Sequence, residues 1–563
     1  MVRRRYLTLL LVLAIFFGSV YAAAQIGDDF GGVTVQEVSI QAQGYSIRGT
    51  LYTPSGVSGK VPAFALAHGV SNAKETLGGV ALELARNGYI ALTIDEKGHG
   101  ESDTGIGMTD LTLGLGSAVT YLASLPSVDT NRVGVAGHSM GAGAVRATVS
   151  QNPTLAAAIL IGGGQGDSPT YAPMNDTRPR NLLFIVGKND VLFNITSLDA
   201  YLRPIFGTTA AISPGTTYGQ FGDGSARRLI LLDSIHLLEP VNPKTVEEVV
   251  LWANSALKPH ISYPLNVKTQ TYLLREGLMA VALVAFIASI IPLSQILNGL
   301  LPGSVGEATP VRHRFLRERS VLLLWSLLGL ILYLPGMFLG TVAPFPPLLF
   351  GASMAWWLLS TGVIGLLILA FMAWRKPRGN ISILGYIRES FRARDIVLSA
   401  LLFCLLYALA YASSTLFGEK LRLLIPIFVP LVVSRAEVFP LFIPFYFVYF
   451  AVEGLYLHVY RDRQTAGSAA GNMTRTFLLK LSPYLALLTL QYLPMFAANY
   501  RLLSGSLGFY IEFIWAIIPL LAISTFTSWW LYRHTGRIWA SVVLNTLLFA
   551  WVSAGLFPFT AFR

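Results

Sequence analysis

The sequence predicts an α/β domain, with a doubly wound and mostly parallel sheet, followed by an all-α polytopic transmembrane domain. Three observations predict it. From Val33, short apolar runs rich in β-branched residues alternate with segments of helical periodicity, the pattern of a parallel sheet covered on both faces. From Tyr272, apolar runs of about 20 residues follow one another, each long enough to cross a bilayer core. The composition is split accordingly. The chain of 563 residues is 53% hydrophobic and only 13% charged. Its mean hydropathy is +0.56, yet the stretch from Gly31 to Pro259 has the composition of a water-soluble domain. A chain of this length is expected to hold more than one domain.

Taken in order, residues 1–25 open with Arg3, Arg4 and Arg5, then an apolar run to Val20 and Ala22-Ala23-Ala24. That is the pattern of a signal peptide or of an N-terminal anchor helix. Residues 33–259 begin with a hairpin, Val35 to Ile40 against Tyr45 to Tyr52. Strands are expected at Ala63 to Ala67, Tyr89 to Ile94, Val133 to Gly137, Ala156 to Ile161, Leu182 to Val186 and Leu229 to Leu232. Helices are expected at Glu75 to Asn87, Leu111 to Leu125, Ala142 to Ser150 and Thr245 to Ala256. Sheets of this kind carry their sites at the carboxyl ends of the strands.

Residues 272–563 hold about eight spans, at Leu278–Leu297, Ser320–Thr341, Leu348–Trp374, Ile396–Leu416, Phe439–Val459, Phe477–Asn499, Phe509–Tyr532 and Ile538–Phe557. The net charge of +11 arises mostly in alternate loops of this half. Arg312, Arg314, Arg317 and Arg319 fill one, Arg388, Arg392 and Arg394 belong to the next, and Arg533 and Arg537 to the last. Their placement follows the positive-inside rule and excludes nucleic acid as the reason for the charge. It puts the soluble domain outside the cytoplasmic membrane, with Arg563 on the same face. Leu423 to Ser434 is apolar but too short to span, and is expected to be re-entrant or interfacial. Cys404 is the single cysteine, so there is no disulfide framework or cysteine metal site. No cofactor motif and no His-Glu-x-x-His spacing occurs.

The chemistry centres on Gly137-His138-Ser139-Met140-Gly141, between an expected strand and an expected helix. A Gly-x-Ser-x-Gly in that context is a nucleophile elbow, whose tight turn leaves no room for bulk two residues either side of the serine. Serine requires a base, and the base an orienting carboxylate. Asp190 follows the strand ending at Val186, and His236 follows the strand ending at Leu232, so these are the candidate acid and base. Asp167, Asp223 and Asp233 are the alternative carboxylates. The backbone N–H groups of Met140 and of Val70, in Ala67-His68-Gly69-Val70, are candidates for an oxyanion hole. His68 is expected to hold its loop, His138 to face away into packing, and the loop from Asp95 to Ser102 to shape the site wall.

Together, His68-Gly69, Asp95-x-x-Gly98-x-Gly100-x-Ser102, the elbow, Gly187-x-x-Asp190 and His236 resemble the α/β-hydrolase superfamily. The resemblance is to its serine esterases, dienelactone-hydrolase-like enzymes and prolyl-oligopeptidase-type peptidases, over about residues 35–257. It implies a Ser139–His236–Asp190 triad that cleaves ester, thioester or amide bonds through an acyl-enzyme. A dienelactone hydrolase proper uses cysteine, so Ser139 points to an esterase or a peptidase. Phe193 to Arg227 is the expected substrate-shaping insertion. The expected substrate is a small-molecule or lipidic acyl compound, or a peptide, met at the lipid bilayer. A peptidase and a non-catalytic receptor or transporter are the rival readings. The absence of a β-propeller weighs against the first rival. The complete set of three residues, and the scarcity of ionisable groups within spans (Glu453, Lys480 and Glu512), weigh against the second.

Overall fold

The computed structural model describes residues 2–56, 58–107, 109–166, 171–257, 267–302, 321–375, 382–423, 425–461, 468–498 and 500–560. Asp167, the expected basic loop at 303–320 and Arg563 lie outside them.

A long helix, α1 (Val2–Gly27), leads into the first hairpin, β1 (Val33–Gln41) and β2 (Ser46–Pro54). Then come β3 (Val61–Ala67), α2 (Gly78–Arg86), β4 (Ile90–Ile94), α3 (Leu115–Ser124), β5 (Val128–His138), α4 (Met140–Gln151) and β6 (Ala157–Ile161). The domain closes with β7 (Leu182–Gly187), α5 (Ile195–Ile205), β8 (Thr217–Tyr218), β9 (Arg227–Leu232) and α6 (Pro243–Leu257). The nine strands form one sheet in the order β1-β2-β4-β3-β5-β6-β7-β9-β8. From β4 through β9 the pairs are parallel, while β1, β2 and β8 run antiparallel to their neighbours.

Strand pleating explains why both faces are apolar. In β3, Ala63, Ala65 and Ala67 pack with Leu115, Leu122 and Val145 on one side. Phe64 and Leu66 pack with Val80, Leu84 and Trp252 on the other. Helices α3, α4 and α5 thus cover one face, and α2 and α6 the other. Helix α5 and the short β8 lie within the Phe193–Arg227 segment and lack the long apolar periodicity of the rest. Asn194 caps α5 by accepting from the Thr196 and Ser197 N–H groups.

The second half is helical: α7 (Tyr272–Ala288), α8 (Ile290–Leu300), α9 (Val321–Ile331), α10 (Tyr333–Val342), α11 (Gly351–Arg375), α12 (Ile383–Ser390) and α13 (Ala393–Phe417). A small hairpin, β10 (Leu421–Leu423) with β11 (Ile425–Phe428), precedes α14 (Val433–Arg461), α15 (Ala469–Ala498), α16 (Gly505–Glu512), α17 (Ile514–Thr535) and α18 (Trp539–Leu556). Among the described residues, eight helices, α1 included, are long and apolar enough to cross a membrane. A ninth arises if α9 and α10, bent by 43°, make one span. The described residues between Leu423 and Ser434 hold strand β11 and the first two residues of α14, with no helix of spanning length.

The two halves are fused by buried charge. Lys74 reaches Glu101 at 2.6 Å and Asp95 at 3.3 Å, and Lys420 from the membrane half reaches Glu75 at 2.7 Å. Arg275 and Arg422 both pair with Glu419 at 2.8 Å. Arg435 is buried and donates to the carbonyls of Gly98 at 3.0 Å and Gly100 at 3.1 Å. The loop from Asp95 to Ser102 therefore anchors the membrane half and does not wall the site, contrary to the expectation. Gly100 is required by the loop itself, since a methyl group there would collide with the Asp95 carboxylate.

Candidate active site

Ser139 stands between β5 and α4 with φ +55° and ψ −113°, a conformation that side chains other than glycine rarely adopt. The glycines around it permit the turn. A methyl group on Gly137 would meet the Gly141 carbonyl oxygen at 2.2 Å, and one on Gly141 would meet that of Ala67 at 2.4 Å. The turn is tied down by the Ser139 N–H, which donates to the Ile161 carbonyl at 2.8 Å.

Three strand ends meet here. His236 Nε2 lies 3.0 Å from Ser139 Oγ, and His236 Nδ1 lies 2.7 Å from Asp190 Oδ2. The other Asp190 oxygen accepts from the Leu192 N–H at 2.7 Å. Asp190 and His236 are both buried. Of the other carboxylates considered, Asp223 bonds Ser225, and Asp233 pairs with Lys188 at 2.9 Å, away from the ring. Burial alone would lower the His236 imidazole, but the Asp190 carboxylate outweighs it and holds the group above its ordinary value, with Glu512 adding in the same direction.

Val70 lines the pocket above Ser139, together with Gly69, Ser71 and Asn72. A methyl group on Gly69 would meet His138 Nδ1 at 2.8 Å and Ser139 Cβ at 3.2 Å, so only glycine lets this loop approach the elbow. Met140 is the first residue of α4, where the helix N-terminus favours developing negative charge. His68 faces its own loop. Its Nδ1 lies 2.7 Å from the Gly69 carbonyl, and its Nε2 accepts from the Glu96 N–H at 3.2 Å. Burial keeps that ring neutral by pushing it down.

His138 departs from the expectation. Its ring does not face away but packs on His236, with centroids 4.8 Å apart, and its Nε2 lies 3.2 Å from the His236 carbonyl. Burial pushes it well below the ordinary histidine value, so it is a neutral platform beneath the imidazole. Behind both rings lies Glu239, one turn after His236. Its Oε1 accepts from the Gly187 N–H, and its Oε2 is 3.6 Å from His236 Nδ1. Burial, with Asp190 beside it, pushes this carboxyl well above the usual range. Gly162 is what admits it, since a methyl group there would lie 1.8 Å from Glu239 Oε2. His138, His236 and Glu239 form one grouping of metal-ligand type among the described residues. The His236 nitrogens already face Ser139 and Asp190, which leaves no free donor set for an ion.

The wall opposite Ser139 comes from the membrane half. Ile425, Phe509, Glu512, Phe513, Ala516 and Leu556 line the pocket, whereas from the expected insertion only Phe193 approaches, with ring centroids 6.2 Å from His236. Phe509 meets His236 edge-on at 6.0 Å. The segment before α16 clamps the loop that carries Asp190: Arg501 donates to the Lys188 carbonyl at 2.9 Å and the Gly505 N–H to that of Val191 at 2.8 Å. Val191 and Ile235 are accordingly buried in the core of the membrane half. Glu512 was legible as an ionisable group in an apolar run, but nothing in the sequence tied it to His236.

Comparison with known proteins gives three kinds of match. A family model described as PETase, PET hydrolase-like, matches residues 18–198, which include Ser139 and Asp190. A bis(hydroxyethyl) terephthalate hydrolase of Streptomyces coelicolor is 32% identical over 118 residues, 20% of this chain and 36% of that protein. The chain thus spans about a third of that relative's length. Among solved structures, one assigned as a dienelactone hydrolase from Klebsiella pneumoniae is 15% identical, covering 39% of this chain and 98% of that one at a TM-score of 0.30. The structure of DcsB in complex with its substrate analogue is 16% identical, covering 40% of this chain and 100% of that one, also at a TM-score of 0.30.

Proposed function

The sheet and helices from Val33 to Leu257 are an α/β-hydrolase domain, and on that premise we propose that the chain is a membrane-embedded serine hydrolase cleaving carboxylic esters through an acyl-enzyme. The observation that carries this is the buried chain of hydrogen bonds from Asp190 through His236 to Ser139. In the proposed reaction His236 Nε2 takes the proton from Ser139 Oγ as that oxygen attacks the ester carbonyl. Asp190 holds the Nδ1–H tautomer and stabilises the imidazolium. The oxyanion is received by the N–H groups of Val70 and Met140. His236 then returns the proton to the departing alcohol oxygen. Water attacks the acyl-enzyme by the same route, and free Ser139 is regenerated.

An ester is favoured over a peptide by the relatives. The Streptomyces coelicolor protein is described as a bis(hydroxyethyl) terephthalate hydrolase, and the family model as PET hydrolase-like. The purified full chain in lipid nanodiscs, offered p-nitrophenyl esters and peptide p-nitroanilides, tests this. Ester turnover with no cleavage of the anilides is expected, and anilide cleavage alone would move the enzyme to the peptidases.

The chain is proposed to lie in the cytoplasmic membrane with the hydrolase domain outside. Arg5 donates to the Gln295 carbonyl, Arg394 to Asn298, and Arg537 pairs with Asp395 at 2.6 Å. These basic residues thus gather at one end of the bundle, while Lys420 and Arg435 contact the hydrolase domain at the other, through Glu75 and the Gly98 and Gly100 carbonyls. Phe16, Val20 and Ala23 of α1 are buried with Met279 and Phe286 of α7, which favours a retained anchor helix over a cleaved signal.

A further inference from the structure

A cavity of about 670 Å³ lies between the His236 loop and the membrane helices. Ile427, Ile517, Leu520 and Val552 form its walls, so it is apolar almost throughout. It shares Leu237, Ile425, Phe513, Ala516 and Leu556 with the pocket above Ser139, so the two adjoin and these side chains border both. A space of this size suits a ligand of drug-like bulk.

The rim tells where a ligand enters. Leu423, Phe496 and Trp515 line the cavity, yet they are 41%, 60% and 42% exposed. Phe496 lies on α15 and Trp515 on α17, both spans by length and composition. On the hydrolase side the rim holds Leu238 and Asp233, whose side chain is 85% exposed, so the mouth lies where that domain meets the ends of the spans, with lipid on one side and water on the other. An amphiphilic molecule held in the bilayer reaches such an entrance by lateral diffusion, with its polar end toward the water.

Resting on the serine-hydrolase reading above, we infer that the substrate is a membrane-borne ester whose long aliphatic chain fills this cavity while its ester group sits at Ser139. The chain is a fatty acyl or a fatty alkyl group, and the two have the same chemistry toward the walls. Each methylene moved from water into such walls is worth up to about fourfold in binding. Glu512 fits the arrangement at the polar end. It is buried, with one oxygen bonded to the Leu237 N–H at 2.6 Å and the other without a partner among the described residues, facing the ester end of the site.

The test uses the full chain in lipid nanodiscs and two substrate series. One varies the acyl group of p-nitrophenyl esters from two to twelve carbons, and the other varies the alcohol of acetate esters over the same range. In at least one series kcat/KM rises by about 100-fold or more with length, and the series that rises identifies the chain as acyl or alkyl. Leu520→Trp fills the cavity from within, and Leu423→Trp narrows its exposed rim without disturbing the core. Each lowers the long-to-short ratio at least tenfold, with fluorophosphonate labelling of Ser139 reporting that the variant is folded. Wild-type labelling with flat profiles in both series overturns the substrate class and leaves the hydrolase reading standing, as does a length preference that neither tryptophan alters. Failure of the wild-type protein to label at all overturns both.

Discussion

The backbone N–H of Leu237 donates to the carboxylate of Glu512 at 2.6 Å, joining the residue after His236 to a helix of the membrane half. Through this bond the helical half positions the imidazole as well as walling the pocket. Glu512→Gln keeps the shape but replaces a charge-assisted bond with a neutral one. A loss of roughly tenfold in kcat/KM is expected, in line with the strength of such bonds. Because the Glu512 charge helps hold His236 high, the ascending limb of the pH profile should also move to lower pH in the variant. A purely structural role for Glu512 would lower activity without moving the limb.

Asp190 and Glu239 both lie against the His236 ring, and their environments divide the work between them. Asp190→Asn should lower kcat by about 10³- to 10⁴-fold, since an amide favours the wrong imidazole tautomer. Burial and Asp190 push the Glu239 carboxyl well above the usual range, which favours its neutral form, so the neutral Glu239→Gln should keep activity within about threefold at pH 7. Steady-state kinetics on one ester would separate the two carboxyls, and equal losses would contradict this division.

The seam between the halves should be acid-sensitive. Burial alone would raise Glu75, but Lys420 and Lys74 outweigh it and hold its carboxyl below the usual range. Glu419, also buried, is likewise held down by Arg275 and Arg422. Carboxyls with depressed folded values contribute stability that is fully present above the unfolded value of about 4.3. That contribution is lost as pH falls through the folded values. Glu75→Gln should therefore lower Tm by a few degrees at pH 7, and the gap should narrow by pH 3. A gap of equal size at both pH values would contradict the charge argument.

Within the bundle, Glu453 and Lys480 pair at 2.6 Å with both side chains buried, and Lys480 also donates to Ser524. Lys480→Met strands a buried carboxylate and should cost about 3–5 kcal/mol. The double variant with Glu453→Gln should recover most of the loss, as thermal unfolding in nanodiscs would show.

Much of this was legible from residue pattern. Short continuous apolar runs located every long strand of the sheet, because a strand buried on both faces has few polar positions to interrupt it. The apolar runs of the second half were readable as well, since length in hydrocarbon is a one-dimensional property: among the described residues seven of the eight coincide with helices long and apolar enough to cross, and the run at Ser320–Thr341 coincides with the bent pair α9 and α10. Ser139, Asp190 and His236 could be picked because each directly follows a strand. What could not be read were relations across the seam. No motif marks Arg435, although it binds the Gly98 and Gly100 carbonyls. Glu239, Phe509 and Glu512 approach His236 only through the tertiary fold, and Glu239 carries no motif. His138 was expected to turn away on strand alternation, but the elbow twists the chain at that residue and brings its ring under His236.

If Ser139 is a nucleophile activated by His236, covalent capture will find it. The full-length protein in nanodiscs is treated with a fluorophosphonate, digested and examined by mass spectrometry. A single phosphonylated peptide carrying the adduct on Ser139 is expected, with no adduct in Ser139→Ala and a loss of about 10³-fold or more in ester hydrolysis by that variant while it folds normally. An adduct on another residue, or an alanine variant that still labels and turns over ester, would contradict it.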